Sequence, residues 1–239
     1  HSFFDERLAS PGDLGLFERL AVLGERAVAV HDTADAGPWE FRGITAVHTF
    51  SAVMCWAGCD RLARIAGALG LADRMRTWTE RASVIRKRVL EGAWSPSRQV
   101  FASSFGGTDV DATALLFPEL GFVAPNDPRF LSTLRIIERE LMEGHWLFRH
   151  RHADDFGTPA TAFTICAFWY VNALALVGRV EEGRERFDQL LQHRTRLGLL
   201  SEDISLATRR LWGNFPQTYS MVGIINAAMR LSRPWESVA

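Results

Sequence analysis

Residues 161–194 read TAFTICAFWYVNALALVGRVEEGRERFDQLLQHR and contain two helical patterns of opposite character. The first, over 160–177, is apolar on nearly every side, and a helix of that kind is buried on every side. The second, over 180–194, carries a wide charged stripe, which is typical of a helix at the surface. Gly178 and Arg179 separate the two, so the pattern predicts a buried inner helix followed directly by an outer one.

The same alternation runs along the rest of the chain. Segments 46–69 and 217–231 are also apolar nearly all round, whereas 72–91 is strongly amphipathic. In all we expect about eight helices and no convincing alternating strand, with the helices near 13–30, 46–69, 72–91, 110–117, 129–142, 160–177, 180–194 and 217–231. Inner helices wrapped by outer helices form a ring, so we predict an all-α protein built as an α/α toroid.

The composition is that of an ordinary globular protein. The 239 residues are 47% hydrophobic with a formal net charge of −1, which leaves no basic surplus for binding nucleic acid. The most apolar stretch, 161–178, is barely long enough to cross a bilayer, and a buried core helix is the better interpretation. Cys55, Cys59 and Cys166 are too few for a disulfide framework, which favours a reducing compartment and a cytoplasmic location.

Each of the four long connections from an outer helix to the next inner helix carries a tryptophan. They are Trp39 in 31–45, Trp94 in 92–109, Trp146 in 143–159 and Trp212 in 195–216. In a ring of helices these connections emerge at one end, and long loops on a rigid scaffold commonly build a binding site. Flat indole rings suit the apolar faces of sugars, although any single indole can equally pin its loop onto the core. We therefore expect Trp146 and Trp212 to contact a saccharide.

Two acidic residues lie in the same connections. Glu40 follows Trp39 directly and Glu202 lies in the last connection, so both carboxyl groups would face one end of the ring. A carboxyl group kept protonated by apolar neighbours and a second one kept ionised are the minimum equipment for glycoside hydrolysis. Arg42 would clamp a carboxylate or a hydroxyl group. The simpler alternatives are an acid at a helix start for Glu40 and a solvated loop for Glu202.

The segment 149–157, RHRHADDFG, alternates arginine and histidine before two acids. Its spacing does not fit a metal site, so a sugar contact through Arg149 or Arg151, or a plain solvated loop, is the better interpretation. Asp109 and Asp111 lack the remaining ligands of a calcium loop and are interpreted as the start of a helix. We therefore expect no metal and no cofactor.

Several blocks of the sequence resemble glycoside hydrolase family 15, which includes glucoamylases, glucodextranases and bacterial trehalases. They are GPWEFRG, HTFSAVMCWAGCDRLARIA, GLLSED and LWGNFPQTYSMVGIINAAMRL, and the resemblance runs from about residue 30 to the C-terminus. It implies an (α/α)6 toroid that hydrolyses α-glucosidic bonds of an oligosaccharide or disaccharide from the non-reducing end with inversion.

The resemblance also implies roles for single residues. It places the general acid at Glu40, the general base at Glu202, and sugar contacts at Trp39, Arg42 and Arg149. Inversion requires room for a water molecule, so the two carboxyl groups should lie roughly 6.5–9.5 Å apart.

The chain also departs from the family pattern. Six helical hairpins are expected, so roughly four helices are missing at the front, together with the N-terminal β-sandwich of bacterial members. We therefore expect residues 1–239 to be the C-terminal portion of the catalytic domain. Uncovered apolar faces would then favour a homo-oligomer or a missing segment, and the isolated chain would hydrolyse poorly. Ala160 stands where bacterial relatives commonly have a glutamate, and Ala52 replaces a common lysine.

Three functions are compatible with these observations. The leading one is an exo-acting α-glucosidase of glucoamylase type. A trehalase of the same family would differ in its second sugar subsite, which Phe41 and the 143–159 loop would shape. A helical carbohydrate-binding remnant without catalysis is the alternative from another class.

Overall fold

The computed structural model describes residues 2–155 and 157–232 of the chain. Within these residues it contains eight α-helices, one 3-10 helix and seven short β-strands. The helices fall into two compact units, which comprise residues 1–94 with 104–107, and residues 95–103 with 108–239. The predominance of helix confirms the all-α class expected from the sequence.

The first unit holds three packed helices, α1 (Leu14–Val30), α2 (Thr49–Ala68) and α3 (Ala72–Ala93). Asp13 caps α1 because its carboxylate accepts the N–H of Leu16 at 2.8 Å. The helices approach closely where α1 carries Gly24, since a Cβ there would lie 2.7 Å from the indole of Trp78 on α3. At the surface, Arg81 of α3 pairs with Glu25 of α1. The amphipathic α3 is thus an outer helix, as predicted.

The second unit is built around α6 (Thr164–Leu176), of which ten of the thirteen residues are buried. The helices α5 (Pro128–Leu141), α7 (Val180–Leu191) and α8 (Thr218–Leu231) belong to the same unit. Tyr170 of α6 donates a hydrogen bond to Glu138 of α5, and Arg179 at the start of α7 pairs with the same carboxylate. The inner position of α6 and the outer position of α7 are confirmed. No helix in the described ranges is long and apolar enough to cross a membrane.

Two segments differ from the sequence prediction. Over 110–117 the chain forms a 3-10 helix (Ala112–Leu116) followed by the one-turn α4 (Phe117–Leu120) instead of a single α-helix. Asp111 caps the 3-10 helix by accepting the N–H of Thr113, so its assignment to a helix start is confirmed. The prediction that α8 is buried on every side is wrong, because Tyr219, Val222, Ile225 and Met229 form an exposed apolar face.

The short strands were not expected from the sequence, because two or three residues are too few for a period-two pattern. They are β1 (Trp94–Ser95), β2 (Val100–Phe101), β3 (Met142–Glu143), β4 (Trp146–Leu147), β5 (Ala162–Phe163), β6 (Asp203–Ser205) and β7 (Arg210–Trp212). β3 and β4 form an antiparallel hairpin after α5. β5, β6 and β7 form an antiparallel sheet in which Phe163 faces Asp203 and Asp203 faces Trp212. This sheet holds the connection after α7 against the start of α6.

Candidate active site

Glu202 is fixed in place through its backbone. Its N–H donates to the carbonyl of Asn214 at 2.9 Å, and its own carbonyl accepts the N–H of Thr164 at 2.9 Å. Thr164 is the first residue of α6, the most deeply buried helix of the second unit. The backbone of Glu202 is therefore bound directly to the start of the core helix.

The carboxylate of Glu202 is held as well. Its Oε2 accepts the backbone N–H of Asn214 at 3.2 Å, and its Oε1 accepts the side-chain amide of Gln217 at 3.4 Å. Gly213 has φ +76, and a Cβ at this position would lie 2.8 Å from Oε2. A glycine is thus required twice, for the left-handed backbone and for the close approach of the carboxylate. The half-buried carboxylate keeps one orientation.

Two buried hydroxyl groups support the same loop. Ser201 accepts the N–H of Trp212 through its Oγ and donates from that oxygen to the carbonyl of Asp203. Ser220 of α8 donates to the carbonyl of Ser201 at 2.7 Å. The loop before β6 is thereby bound to β7 and to α8. Buried hydroxyls with satisfied hydrogen bonds rigidify the segment that they join.

The neighbouring Asp203 is bound differently from Glu202. Its Oδ2 accepts the hydroxyl of Thr161 at 2.9 Å. Burial raises the pKa of the Asp203 carboxyl above its ordinary value, and nearby Glu202 adds to the rise, while Thr161 and the charge of Arg149 oppose it. Arg149 therefore lies in the same region of the second unit as the Glu202–Asp203 pair. Arg149 and Glu202, from separate loops, thus each act on the charge of Asp203.

The two tryptophans of this unit have opposite environments. Trp212 lies on β7 beside Gly213 and is 63% exposed, so its indole is open to a ligand. Trp146 lies on β4 and is only 4% exposed, with its ring against the edge of His193 at a centroid distance of 5.0 Å. A cavity of about 500 Å³ borders Trp146, and His145, His193 and Arg209 line it further. A ligand in that cavity would contact the Trp146 indole.

Glu40 lies in the first unit, in a turn between α1 and α2. Asp35 anchors this turn because its carboxylate accepts the N–H of Gly37 and its backbone bridges to Ala46. Glu40 itself has φ +56, a left-handed conformation that is uncommon outside glycine, asparagine and aspartate. Its side chain is exposed, as is that of Arg42, whereas Trp39 is half-buried.

The ring of Phe41 fixes the far side of the same turn. Phe41 is buried and packs against the ring of His48 at a centroid distance of 5.7 Å. Its N–H donates to the carbonyl of Ala36 at 2.9 Å. The turn therefore holds Glu40 outward by burying the residue that follows it.

Sequence reasoning missed the residues that hold Glu202, namely Gly213, Asn214 and Gln217. They lie in the block GNFPQ, whose Gly-Asn-Phe-Pro order indicates a turn, and the Phe215–Pro216 peptide bond in it is cis. Nothing in the spacing shows that the turn folds back onto a glutamate 11 residues earlier. Across the part of the chain that the structure describes, no three His, Cys, Asp or Glu side chains form an arrangement that could hold a metal ion.

The chain is similar to several characterised proteins. It is 36% identical to a trehalase of Thermoplasma volcanium over 82% of this chain and 32% of that protein. It is 35% identical to a trehalase of Mycobacterium tuberculosis over 89% of this chain and 32% of that protein. The chain thus spans about a third of the length of these curated relatives.

Solved structures share its fold at low sequence identity. A bacterial glucoamylase complexed with acarbose matches 90% of this chain and 38% of its own, with a TM-score of 0.69 and 12% identity. A wild-type glycosidase matches 88% of this chain and 58% of its own, with a TM-score of 0.74 and 16% identity. This likeness confirms the glucoamylase-like (α/α)6 fold class. Residues 27–229 match the sequence pattern of glycosyl hydrolases family 15, and the chain belongs to that family.

Proposed function

We propose that this protein hydrolyses an α-glucosidic bond with inversion, with Glu40 as the general acid and Glu202 as the general base. The observation that carries the proposal is the anchoring of Glu202. An acceptor-only carboxylate held by the Asn214 N–H and the Gln217 amide keeps one orientation, as a base that must align a water molecule requires. An acid in a merely solvated loop would have no need of such support.

Each group has a defined part in the reaction. Glu40 gives its proton to the glycosidic oxygen as the bond to the anomeric carbon breaks. Glu202 takes a proton from a water molecule whose oxygen attacks the anomeric carbon from the opposite face. The products are two sugars, and the acid and base exchange protonation states through solvent before the next cycle. Arg149 would donate hydrogen bonds to sugar hydroxyls, and the open indole of Trp212 would stack on a sugar face.

The substrate we propose is trehalose. The named relatives at 36% and 35% identity are trehalases, which supports a disaccharide substrate over a starch-like polymer. Glucoamylase activity is the second candidate, favoured by the fold shared with a bacterial glucoamylase, although a likeness at 12% identity bears on the fold alone. Because the chain spans a third of these relatives, the proposal concerns the whole protein that contains it.

The experiment uses the complete open reading frame that encodes this chain. The purified protein is incubated separately with trehalose and with maltooligosaccharides, and the anomers of the released glucose are followed by proton NMR. Inverting hydrolysis of trehalose should release one β-glucose and one α-glucose in each event. Release of glucose from maltooligosaccharides alone would replace trehalase by glucoamylase. Release of two α-glucose molecules would overturn the inverting mechanism.

A pair of conservative variants separates catalysis from mere binding. Glu40→Gln and Glu202→Gln keep the size of each side chain and remove its acid or base function. Undiminished hydrolysis by both variants would show that these two glutamates are not the acid and the base. Saccharide binding without hydrolysis by the wild-type protein would instead leave a carbohydrate-binding module. Loss of turnover with saccharide binding retained, measured by calorimetry, is the result we expect.

A further inference from the structure

His150 follows Arg149 in the chain and is completely buried. Its Nε2 lies 3.3 Å from Nε of Arg149, and its Nδ1 lies 3.1 Å from the carbonyl oxygen of His152. The rings of His150 and His152 stack at 4.1 Å. Both ring nitrogens of His150 thus have a polar partner, so this ring does more than fill space in the core.

These two contacts fix the tautomer of His150. A carbonyl oxygen can only accept, so Nδ1 must carry the proton and donate it to His152. Nε2 then presents a lone pair, and the Nε–H of Arg149 donates to it. Protonation of Nε2 would place its N–H against the Nε–H of Arg149 and two positive charges side by side, and Oδ2 of Asp154, 3.7 Å from Nε2, would offset only part of that repulsion.

The groups around the ring keep it neutral at ordinary pH. Burial lowers the pKa of His150 from 6.5 to about 4, and His152 and Arg149 add to the decrease. The hydrogen bond to the His152 carbonyl and the charge of Asp154 act in the opposite direction. The acceptor at Nε2 is therefore available throughout the neutral range.

Arg149 is held at a second point on the same side. Its Nη2 pairs with Oδ2 of Asp154 at 3.0 Å, and Asp154 is in turn fixed by paired backbone hydrogen bonds with Gly157. Nε and Nη2 of a planar guanidinium lie on one edge, so two partners on that edge set its orientation. Among residues 2–155 and 157–232, Nη1 makes no hydrogen bond, and the side chain is 27% exposed.

We propose that His150 is a positioning residue, whose Nε2 holds the Arg149 guanidinium so that its Nη1 edge can donate to a hydroxyl of the bound sugar. This inference rests on the proposed function, because it takes the saccharide as the ligand of Arg149. A long arginine side chain loses rotamer freedom when it grips a ligand, and His150 removes that freedom before the sugar arrives. His150 touches no substrate atom and acts only through Arg149.

A double-mutant cycle tests the coupling. His150→Phe keeps a buried ring and removes the acceptor, and we expect kcat/KM for the cleaved saccharide to fall about 10-fold or more, as for loss of a hydrogen bond to a charged group. In an Arg149→Ala background the same substitution should change kcat/KM by less than about twofold. Equal losses in the two backgrounds would indicate a purely structural role and overturn the proposal.

Two further variants serve as rescue and control. His150→Gln retains an acceptor near the position of Nε2 and should recover most of the lost kcat/KM. His31→Phe makes the same exchange at a histidine whose Nδ1 also contacts a backbone carbonyl, that of Val28, at 2.8 Å. It should leave kcat/KM unchanged. No recovery in His150→Gln, with its fold intact by circular dichroism, would count against the proposal.

A spectroscopic readout separates this inference from the proposed function. In ¹⁵N NMR spectra of the wild-type protein, His150 should show a protonated Nδ1 and an unprotonated Nε2. The Nε–H signal of Arg149 should shift in His150→Phe and stay in place in His31→Phe. If the protein cleaves no α-glucoside, the proposed function fails while this result still decides the His150–Arg149 contact. If the Nε–H signal of Arg149 does not shift in His150→Phe, the inference is overturned, whether or not the protein cleaves an α-glucoside.

Discussion

Replacing Gly213 by alanine should disable Glu202 while leaving the fold largely intact. The added Cβ would lie 2.8 Å from Oε2 of Glu202, whereas ordinary contact begins at 3.4 Å, so the carboxylate must retreat by about 0.6 Å. That movement lengthens its hydrogen bond from the Asn214 N–H, now 3.2 Å. A misplacement of about 1 Å can cost about 100-fold in rate, so we expect kcat to fall on the order of 10-fold to 100-fold.

The same substitution also strains the backbone, and a second glycine measures that part alone. Gly198 has φ +79, close to the +76 of Gly213, but a Cβ there would meet no atom within 4 Å. Both variants should lose about 1 kcal/mol of unfolding free energy, because alanine is forced into the left-handed region. Urea denaturation measures this loss, and only Gly213→Ala should lose activity on the cleaved saccharide.

The comparison can fail in two distinct ways. Wild-type kcat values in both Gly213→Ala and Gly198→Ala would mean that the position of the Glu202 carboxylate does not matter to turnover. A drop in kcat for both would trace the effect to backbone strain in the connection after α7. Either result would refute the reasoning that links the glycine to the base.

Other measurements test the site and the core. Glu40→Gln and Glu202→Gln should each lower kcat by about 1000-fold or more, as expected for removal of a catalytic acid or base with its binding contacts retained. A crystal structure should place the two carboxyl groups roughly 6.5–9.5 Å apart. For His150, the pKa falls from 6.5 to about 4 on folding, so the unfolded state takes up a proton first as the pH drops. The wild-type protein should therefore lose about 3 kcal/mol more than His150→Gln between pH 6.5 and pH 4 in urea titrations, and an equal loss would contradict the buried neutral ring. Gly24→Ala should lower the unfolding free energy of the first unit by about 1–2 kcal/mol, because the added Cβ overpacks against α2 and α3. Gly58→Ala has no atom within 4 Å of the added Cβ, and the higher helix propensity of alanine should raise the unfolding free energy by up to about 1 kcal/mol. Thermal unfolding should therefore show a lower Tm for Gly24→Ala and a Tm that is equal or higher for Gly58→Ala.

Most of the fold could be predicted from hydrophobic periodicity. The helix predicted over 160–177 is present as Thr164–Leu176, and the one over 180–194 as Val180–Leu191. Both have strong patterns, one apolar throughout and one divided into two faces. The pattern failed where local hydrogen bonding decides the geometry. Over Ala112–Leu116 the chain forms a tighter 3-10 turn capped by Asp111, and apolar spacing cannot distinguish such a turn from an α-helix.

Helix α8 shows a different limit of the same reasoning. Its sequence, TYSMVGIINAAMRL, is apolar nearly all round, and a uniformly apolar helix is expected to be buried. In the structure only Ser220, Gly223, Ala227 and Leu231 are buried, with Gly223 packed tightly against Phe168 of α6. The composition of a helix indicates which of its faces can be buried. How many of those faces are buried depends on how many other helices pack against it.

The sequence alone nominates the charged residues of the candidate site, but not the contacts that support them. Glu40 and Glu202 are prominent because each interrupts an apolar context in a long connection. Their support depends on contacts between distant segments, such as the Gln217 amide at the Glu202 carboxylate. His150 was interpreted only as part of an alternating basic segment, since its role depends on which ring nitrogen carries the proton. Such information is three-dimensional and has no signature in spacing.

The backbone of Glu40 has a consequence for protein engineering. At φ +56 a glutamate is strained by about 1 kcal/mol relative to glycine, and asparagine also tolerates this conformation better. A thermostability screen without an activity assay would therefore enrich Glu40→Gly or Glu40→Asn and discard the proposed proton donor. Directed evolution of this scaffold should hold position 40 constant and seek added robustness elsewhere.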